Sequence, residues 1–461
     1  MKNISEIIDC FDDVLIAGIT DDSRMVKEGY LFVATKGYNV DHFDYIYDAI
    51  NRGCSYVICD RKIDFNIPYF IVDDINFIYR ECCRKFYDIN LEEFKFIGVT
   101  GTDGKTTTTT VIKNILNNFA YIGTNGIELG DKFLKTNNTT PCISELYEYL
   151  AWIKNNGSKN VVLEVSSEAL LHDRVKDIKF DVVAITNITG DHLNIHKNFE
   201  NYKACKLKIL DLVKDDGLVV INGDDCNLKG IKCNNLTKIG FDEDNNCRIF
   251  NVKEKSNYSE FSVKLENKEF KMKTKLKGIY NIYNITMAFI ISSFIESDIS
   301  VLIEKIENVS FVKGRREDLF FGQDFKIILD YAHTINGIKN ILESFQGENR
   351  IITVLGCAGG REREKRSIIG NLVMDLSDVS IFTMDDPRNE GVDEIIREMG
   401  GDRRDFIKIN DRAEAINFAF DIASIDDIVL ILGKGRDEYM AIGDERVYYS
   451  DYDVICQYFN N

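Results

Sequence analysis

A chain of 461 residues with 44% hydrophobic content exceeds one ordinary domain and carries enough apolar surface for several cores. Its 57 Lys and Arg against 75 Asp and Glu give a net charge of −18, which repels nucleic acid and anionic membranes but leaves room for a phosphorylated substrate in a local basic pocket. Twelve cysteines without a Cys-x-x-Cys pair, and the absence of an apolar run of membrane-spanning length, predict reduced thiols in a cytoplasmic protein with no membrane insertion.

In chain order, residues 1 to about 90 alternate short apolar strands with helical patterns: strands at Leu31-Phe32-Val33-Ala34 and Tyr56-Val57-Ile58-Cys59, with a helix from Phe43 to Arg52 between them. A second segment opens with the apolar strand Phe96–Val99, the turn Gly101-Thr102-Asp103-Gly104-Lys105-Thr106-Thr107 and a helix-compatible run from Val111 to Leu116. Strand, glycine turn and helix N-terminus make a phosphate cradle. Glycines admit backbone N–H groups to the phosphates, Lys105 neutralises β/γ charge and Thr106 offers a hydroxyl to Mg²⁺. Val99 stands where the usual phosphate loop has its first glycine, so this is a shortened Gly-Thr-x-Gly-Lys-Thr variant. A Gly/Thr-rich turn that binds nothing is the plain alternative, but a Lys between Gly and Thr directly after a buried strand favours nucleotide.

Val161-Val162-Leu163-Glu164-Val165 and Val182-Val183-Ala184-Ile185-Thr186 are continuous runs expected of parallel strands buried on both faces. Residues 245–275 alternate polar and apolar, as in an antiparallel hairpin, and a helix runs from Tyr280 to about Glu296. From near Val312 the strands Lys326–Leu329, Ile351–Leu355, Val379–Thr383 and Ile428–Leu432 alternate with helices, the mark of a doubly wound α/β unit whose ligands sit beyond the strand carboxyl ends.

Several polar residues follow these strands. Glu164 is costly to bury unless paired or bound to metal, and reads equally as a strand end facing solvent. Thr186 to Leu193 brings Asn187, Asp191 and His192 to another strand end. With the glycine turn these suggest an ATP–Mg²⁺ site with a second ion, although His192 alone reads as a satisfied loop histidine. Tyr202 and Lys206, four apart, share a helix face, where Lys206 alone reads as a solvated lysine.

Gly101 to Thr107, Glu164-Val165-Ser166-Ser167, Thr186-Asn187-x-x-x-Asp191-His192-Leu193 and Asp330-Tyr331-Ala332-His333-Thr334, in order and with family-like spacing, resemble the Mur ligases. Within that family the likeness is strongest to members that add the third residue of the peptidoglycan stem. The resemblance implies three α/β domains: an N-terminal UDP-binding domain (1–90), a central P-loop-type ATPase domain with a mostly parallel sheet (91–312), and a C-terminal Rossmann-like doubly wound domain binding the amino acid (313–461). It implies an ATP- and Mg²⁺-dependent, monomeric cytoplasmic ligase joining UDP-N-acetylmuramoyl-dipeptide to a diamino acid.

Carried over residue by residue, the resemblance makes Lys105, Lys206, His192 and Glu164 catalytic. Thr106, Glu164, His192 and a carbamylated Lys206 become metal ligands. ATP contacts fall on Gly101, Thr102, Asp103, Gly104, Lys105, Thr106, Thr107, Asn281, Asn284, Arg315, Asp330 and His333. Muramoyl-peptide contacts fall on Ser23, Asn138, Thr139, Thr140, Ser166, His172 and Arg174. The amino acid is read by Arg361, Asp385, Asp386, Pro387, Arg388, Gly433 and Asp437. Arg388 is what meso-diaminopimelate enzymes carry, because a distal carboxylate suits a guanidinium fork. The family's Gly-Lys-Gly-His-Glu is Gly433-Lys434-Gly435-Arg436-Asp437 here, and Asp103 and Asp386 replace Asn, so L-lysine or another amino acid stays open as the acceptor. A nucleotide-binding paralogue that no longer ligates is the rival of a different class.

Overall fold

The computed structural model describes residues 1–9, 12–37, 40–255, 257–347 and 349–460. By packing, the chain forms two compact units: Met1–Thr100, Asn117–Val183 and Cys205–Val219 in the first, and Gly101–Leu116, Ala184–Ala204 and Val220–Asn461 in the second.

In the first unit, four parallel strands lie in the order Gly18–Thr20, Tyr30–Val33, Cys54–Cys59, Tyr69–Ile71. The helix expected over 43–52 is divided. The Asp41 carboxylate accepts the Phe43 N–H and tightens His42–Tyr45 into a 3₁₀ turn before the α-helix Ile46–Asn51 begins. Five neighbouring strands of a second, longer sheet lie in this unit in the order Lys132–Leu134, Gly126–Leu129, Phe119–Gly123, Asn160–Glu164, Lys95–Thr100. Asn160–Glu164 runs parallel to both Phe119–Gly123 and Lys95–Thr100. Val161, Val162 and Leu163 are all buried, which explains the unbroken apolar run. Gly98 leaves room for the Phe180 ring, since a Cβ there would lie 2.6 Å from a ring carbon.

In the second unit, the glycine turn leads into the helix Lys105–Ile115, which packs against the helix Ile279–Ile295, apolar nearly all round. Residues 245–275 are a correction: they form three antiparallel strands, Cys247–Glu254, Ser259–Leu265 and Lys268–Thr274, rather than one hairpin. The second turn, at Glu266-Asn267, contains no glycine, and Glu266 takes φ of 53° itself, so the alternation reads straight through it.

The C-terminal sheet has the order Glu317–Leu319, Lys326–Asp330, Ile428–Leu432, Ile351–Leu355, Val379–Phe382, Ile407–Lys408, parallel except for its first strand. Alternate residues feed two cores, Ile328 and Leu355 on one face and Ile327, Leu329, Ile352 and Val354 on the other. The strand order puts Asp330, Gly356, Asp385 and Gly433 at one edge, where a doubly wound sheet collects ligands. Behind that edge Arg412 and Asp451, both fully buried, form a bidentate ion pair at 2.7 Å, and Arg412 also donates to the Leu432 carbonyl at 2.8 Å.

Asp451→Asn or Arg412→Met leaves one buried charge unmatched and destabilises the second unit by about 3–5 kcal/mol. The double variant Arg412→Met/Asp451→Leu recovers most of that loss. Denaturant unfolding of the three proteins checks both statements.

Candidate functional site

The phosphate turn is held by the loop after the strand Phe180–Ile185. Asn187 accepts the Asp103 N–H through its side chain at 3.0 Å and the Thr102 N–H through its carbonyl at 2.9 Å. The Thr186 hydroxyl donates to the Asp103 carbonyl at 2.6 Å. Thr102 Oγ1 accepts the Thr189 N–H at 3.0 Å and sits 3.0 Å from the Tyr202 hydroxyl. Two glycines are obligatory. A Cβ on Gly101 (φ 144°) would lie 1.8 Å from Thr186 Oγ1, and one on Gly104 (φ 85°) 2.4 Å from Asn284 Oδ1. Lys105 Nζ donates to the Gly101 and Thr102 carbonyls at 2.9 Å, folded over the turn where phosphate oxygens would replace those acceptors.

The same turn is met by residues after the strand Lys326–Asp330 and just before Glu317–Leu319. Arg315 donates to Thr106 Oγ1 at 3.0 Å, and the Thr334 hydroxyl to both Asp103 oxygens at 3.0 and 3.1 Å. Asp330 accepts the Arg316 and Ala332 N–H groups at 2.6 Å, and its burial raises its pKa against the pull of Arg315. Asp103, Gly104, Thr106, Thr107, Asn281, Asn284, Arg315 and Asp330 line a cavity of about 840 Å³, within the roughly 300–1,000 Å³ usual for small-molecule sites. The two amides share one helix face as expected, Asn284 donating to Asn281 at 3.2 Å.

A second cavity, of about 100 Å³, is lined by Asp191, His192, His333, Arg361, Asp385, Asp386, Arg388, Gly433 and Asp437. His333 thus faces this cavity. Pro387 lies behind it, its carbonyl against Gly359, where a Cβ would come within 1.9 Å. Most charges here are matched. Lys434, 1% exposed, reaches Asp386 at 2.8 Å and Asp385 at 3.7 Å. Lys365 reaches Asp191 at 3.1 Å. Burial opposes ionisation of Asp191, but His192, His333 and Lys365 hold it well below the usual carboxylate range. Arg361 donates to His192 Nδ1 at 3.1 Å, so Nε2 carries the ring proton and faces Asp191 at 3.3 Å.

Two groups stand out. Burial, and then the neighbouring Arg361, lower the pKa of Arg388, two guanidiniums facing one cavity as an anion site requires. Asp437 is pushed up to about 7 by burial, with Asp385 and Asp386 pushing the same way against the opposite pull of Lys434 and Arg315. Arg388 takes φ of 51° and its N–H donates to the Ala441 carbonyl, while its guanidinium donates to Gly359 at 3.1 Å. Arg366, 1% exposed, pairs with Glu390 at 2.9 Å and donates to Ala358 at 3.1 Å, tying together the loops that carry Arg361 and Arg388.

In the first unit, Glu164 is fully buried and accepts from the Tyr121 hydroxyl at 2.5 Å and the Thr124 N–H at 3.2 Å, so it does not face solvent. Lys206 is only 2% exposed, which removes its reading as a surface lysine. Thr140 donates to the Glu164 carbonyl at 2.7 Å and accepts the Ser166 N–H at 2.9 Å, and Arg174 donates to the Thr140 carbonyl at 3.0 Å. Thr139 Oγ1 lies 3.1 Å from the Thr124 hydroxyl, and Asn138 is exposed. Burial, followed by Arg174, lowers the His172 pKa. Ser23 is buried and donates to Asp48. Among the described residues no three His, Cys, Asp or Glu side chains are grouped to hold a metal ion. Hydroxyl and carboxylate oxygens such as those of Thr106 and Glu164 are nonetheless the donor type a hard cation takes.

The sequence places Thr334 and Glu362 inside recognisable segments without giving either a role of its own, and it leaves Lys365 unmarked. Thr334 caps the helix Ile335–Glu343, a recognisable start signal, yet its bond to Asp103 spans 231 residues. Glu362 accepts the Leu193 N–H, and nothing in its charged run marks that.

Family models match along the chain: the Mur ligase family catalytic domain over residues 15–88, the Mur ligase middle domain over 99–292 and the Mur ligase glutamate ligase domain over 314–435. The UDP-N-acetylmuramoyl-L-alanyl-D-glutamate–2,6-diaminopimelate ligase of Fusobacterium nucleatum is 35% identical over 453 residues, covering 95% of this chain and 92% of that protein. Its counterpart in Caldanaerobacter subterraneus is 32% identical, covering 99% and 97%. Among solved structures, a ligase of the same description superposes with a TM-score of 0.65 at 23% identity, covering 100% and 99%. The MurF ligase of Thermotoga maritima in complex with ADP also gives 0.65, at 20% identity, covering 92% and 95%.

Gly104→Ala forces a side chain into left-handed backbone and onto Asn284, a strain of order 1–3 kcal/mol that lowers ATP affinity about ten- to a hundredfold. Calorimetric titration with ATP measures it, with an unchanged circular dichroism spectrum as the control.

Proposed function

Since the chain belongs to the Mur ligase family, we propose that it is an ATP-dependent amide ligase joining UDP-N-acetylmuramoyl-L-Ala-D-Glu to a diamino acid, meso-2,6-diaminopimelate, in peptidoglycan precursor synthesis. One observation carries the choice of amino acid. The smaller cavity sets two guanidiniums, Arg361 and Arg388, beside the carboxylates of Asp385, Asp386 and Asp437. A substrate with a carboxylate and an ammonium at its distal end uses both sets, whereas lysine offers nothing to the second guanidinium.

The substrate carboxylate attacks the γ-phosphate of ATP, giving ADP and an acyl phosphate, and the incoming amine then displaces phosphate. Lys105 leaves its carbonyl acceptors for phosphate oxygens, and Arg315, already on Thr106, adds positive charge on the same side. Asn281 and Asn284 take the adenine side of the larger cavity, with Asp330 contributing from the last domain, while His333 approaches from the smaller cavity. Ser23, Asn138, Thr139, Thr140, Ser166, His172 and Arg174 bind the muramoyl-peptide. Thr106 would hold Mg²⁺, with Glu164, His192 and a carbamylated Lys206 for a second ion, and the bound ions would neutralise phosphoryl charge. The matched family models support divisions near residues 90 and 312, and the ligase acts as a cytoplasmic monomer.

ADP release in the presence of UDP-N-acetylmuramoyl-dipeptide tests the assignment, run with meso-diaminopimelate beside L-lysine. Release with diaminopimelate alone is expected, release with lysine alone reassigns the amino acid, and no release with any amino acid leaves a non-ligating nucleotide-binding protein.

Arg388→Ala removes a charged hydrogen bond of about 1.5–3 kcal/mol and raises the KM for diaminopimelate roughly ten- to a hundredfold. Asp437 must be ionised to receive the distal ammonium. Because its carboxyl is pushed up to about 7, the KM for the amino acid falls roughly tenfold between pH 6 and pH 8, and Asp437→Asn flattens that profile. Lys206→Ala abolishes turnover, and full activity without added carboxylate ions overturns the carbamate.

A further inference from the structure

Arg436 replaces the histidine of the family pattern and is absorbed by none of the roles above. Its guanidinium forks onto Glu317, Nε at 2.9 Å from Oε2 and a terminal nitrogen on Oε1, and stacks 3.3 Å over the Tyr452 ring. Glu317, 4% exposed, also accepts the Gly314 N–H at 2.8 Å. One carboxylate therefore holds two turns: the one closed by Val312 and Arg315, and the one from Gly433 to Asp437.

The turns touch through backbone. A Cβ on Gly314 would lie 2.9 Å from the Arg436 nitrogen, and one on Gly435 2.9 Å from the Gly314 carbonyl oxygen. Both glycines have positive φ, 69° and 52°, so neither turn relaxes without breaking the contact. The first turn ends on Arg315, which lies over the Tyr331 ring at 4.5 Å and donates to Thr106 of the phosphate turn. The second ends on Asp437, in the smaller cavity.

We propose that Arg436 is a positioning residue for ligation, its fork on Glu317 fixing the spacing between Asp437, which receives the amino acid, and Arg315, which contacts the phosphate turn. The proposal rests on the ligase reading above. A histidine cannot reproduce this fork, so the arginine is this chain's own means of holding a motif that ends in the shorter Asp437. The arginine acts at a distance from the chemistry, where a displacement near 1 Å can cost a hundredfold.

The test compares Arg436→Met, Arg436→Lys and the double variant Arg436→Met/Glu317→Gln, which keeps an acceptor for the Gly314 N–H but buries no unmatched charge. Thermal midpoint and steady-state ADP release are measured for each. The expected result is a KM for diaminopimelate raised about tenfold in Arg436→Met, an ATP affinity by calorimetry within twofold of wild type, and partial rescue by Arg436→Lys. In the double variant the thermal midpoint recovers while the raised KM persists. A KM that returns together with the midpoint, or one within twofold of wild type in all three variants, overturns the positioning role and leaves a purely structural ion pair. A wild-type protein that releases no ADP with any amino acid overturns the ligase reading itself, and the proposal with it.

Discussion

A parallel strand buried on both faces has no place for a charge until it ends, and this constraint arranges the chemistry of the second unit. Asp330 ends the first of four adjacent parallel strands, and Gly356, Asp385 and Gly433 follow the others, while the strand interiors are mostly apolar on both faces. The phosphate turn follows Lys95–Thr100 in the same way, and Thr186 and Asn187 follow Phe180–Ile185. Exclusion from the sheets concentrates polar groups at strand ends, and the glycines there let backbones approach within distances no side chain permits.

Concentrated charge requires internal matching, and the smaller cavity achieves it in part. Lys434 pairs with Asp386 and reaches Asp385 at longer range, Lys365 pairs with Asp191, the His192 Nε2–H faces Asp191, and Arg361 donates to His192. A zwitterionic ligand enters such a site by exchange, replacing internal partners with its own groups, so little net charge is buried on binding. Asp437 and Arg388 are where matching is weakest, one pushed up by burial and the other lowered by burial and a neighbouring guanidinium. Weakly matched groups at one cavity have most to gain from an oppositely charged ligand.

Departures from the family pattern are compensated locally. Asp103, in place of Asn, receives both of its contacts from one hydroxyl, that of Thr334, at 3.0 and 3.1 Å. Asp386 is matched by Lys434, and Arg436 by Glu317. Each of these three side chains has a partner within hydrogen-bond reach, a hydroxyl for Asp103 and an opposite charge for Asp386 and Arg436.

The chain's own order of residues determined the strands, because apolar runs such as Val161–Leu163 and Ile428–Leu432 are periodicity read directly. It also determined the phosphate turn, because Gly101, Gly104, Lys105 and Thr106 act within six consecutive residues. Local spacing carried Asn281 with Asn284, and Tyr202 with Lys206, onto shared helix faces. The third antiparallel strand was lost because the turn at Glu266 carries no glycine to mark it. Burial of Lys206, the Thr334–Asp103 bond, the hold of Glu362 on Leu193 and the fork of Arg436 on Glu317 were decided only by tertiary structure. Those contacts join residues up to 231 positions apart, and no local pattern records which distant partner will neutralise a buried charge.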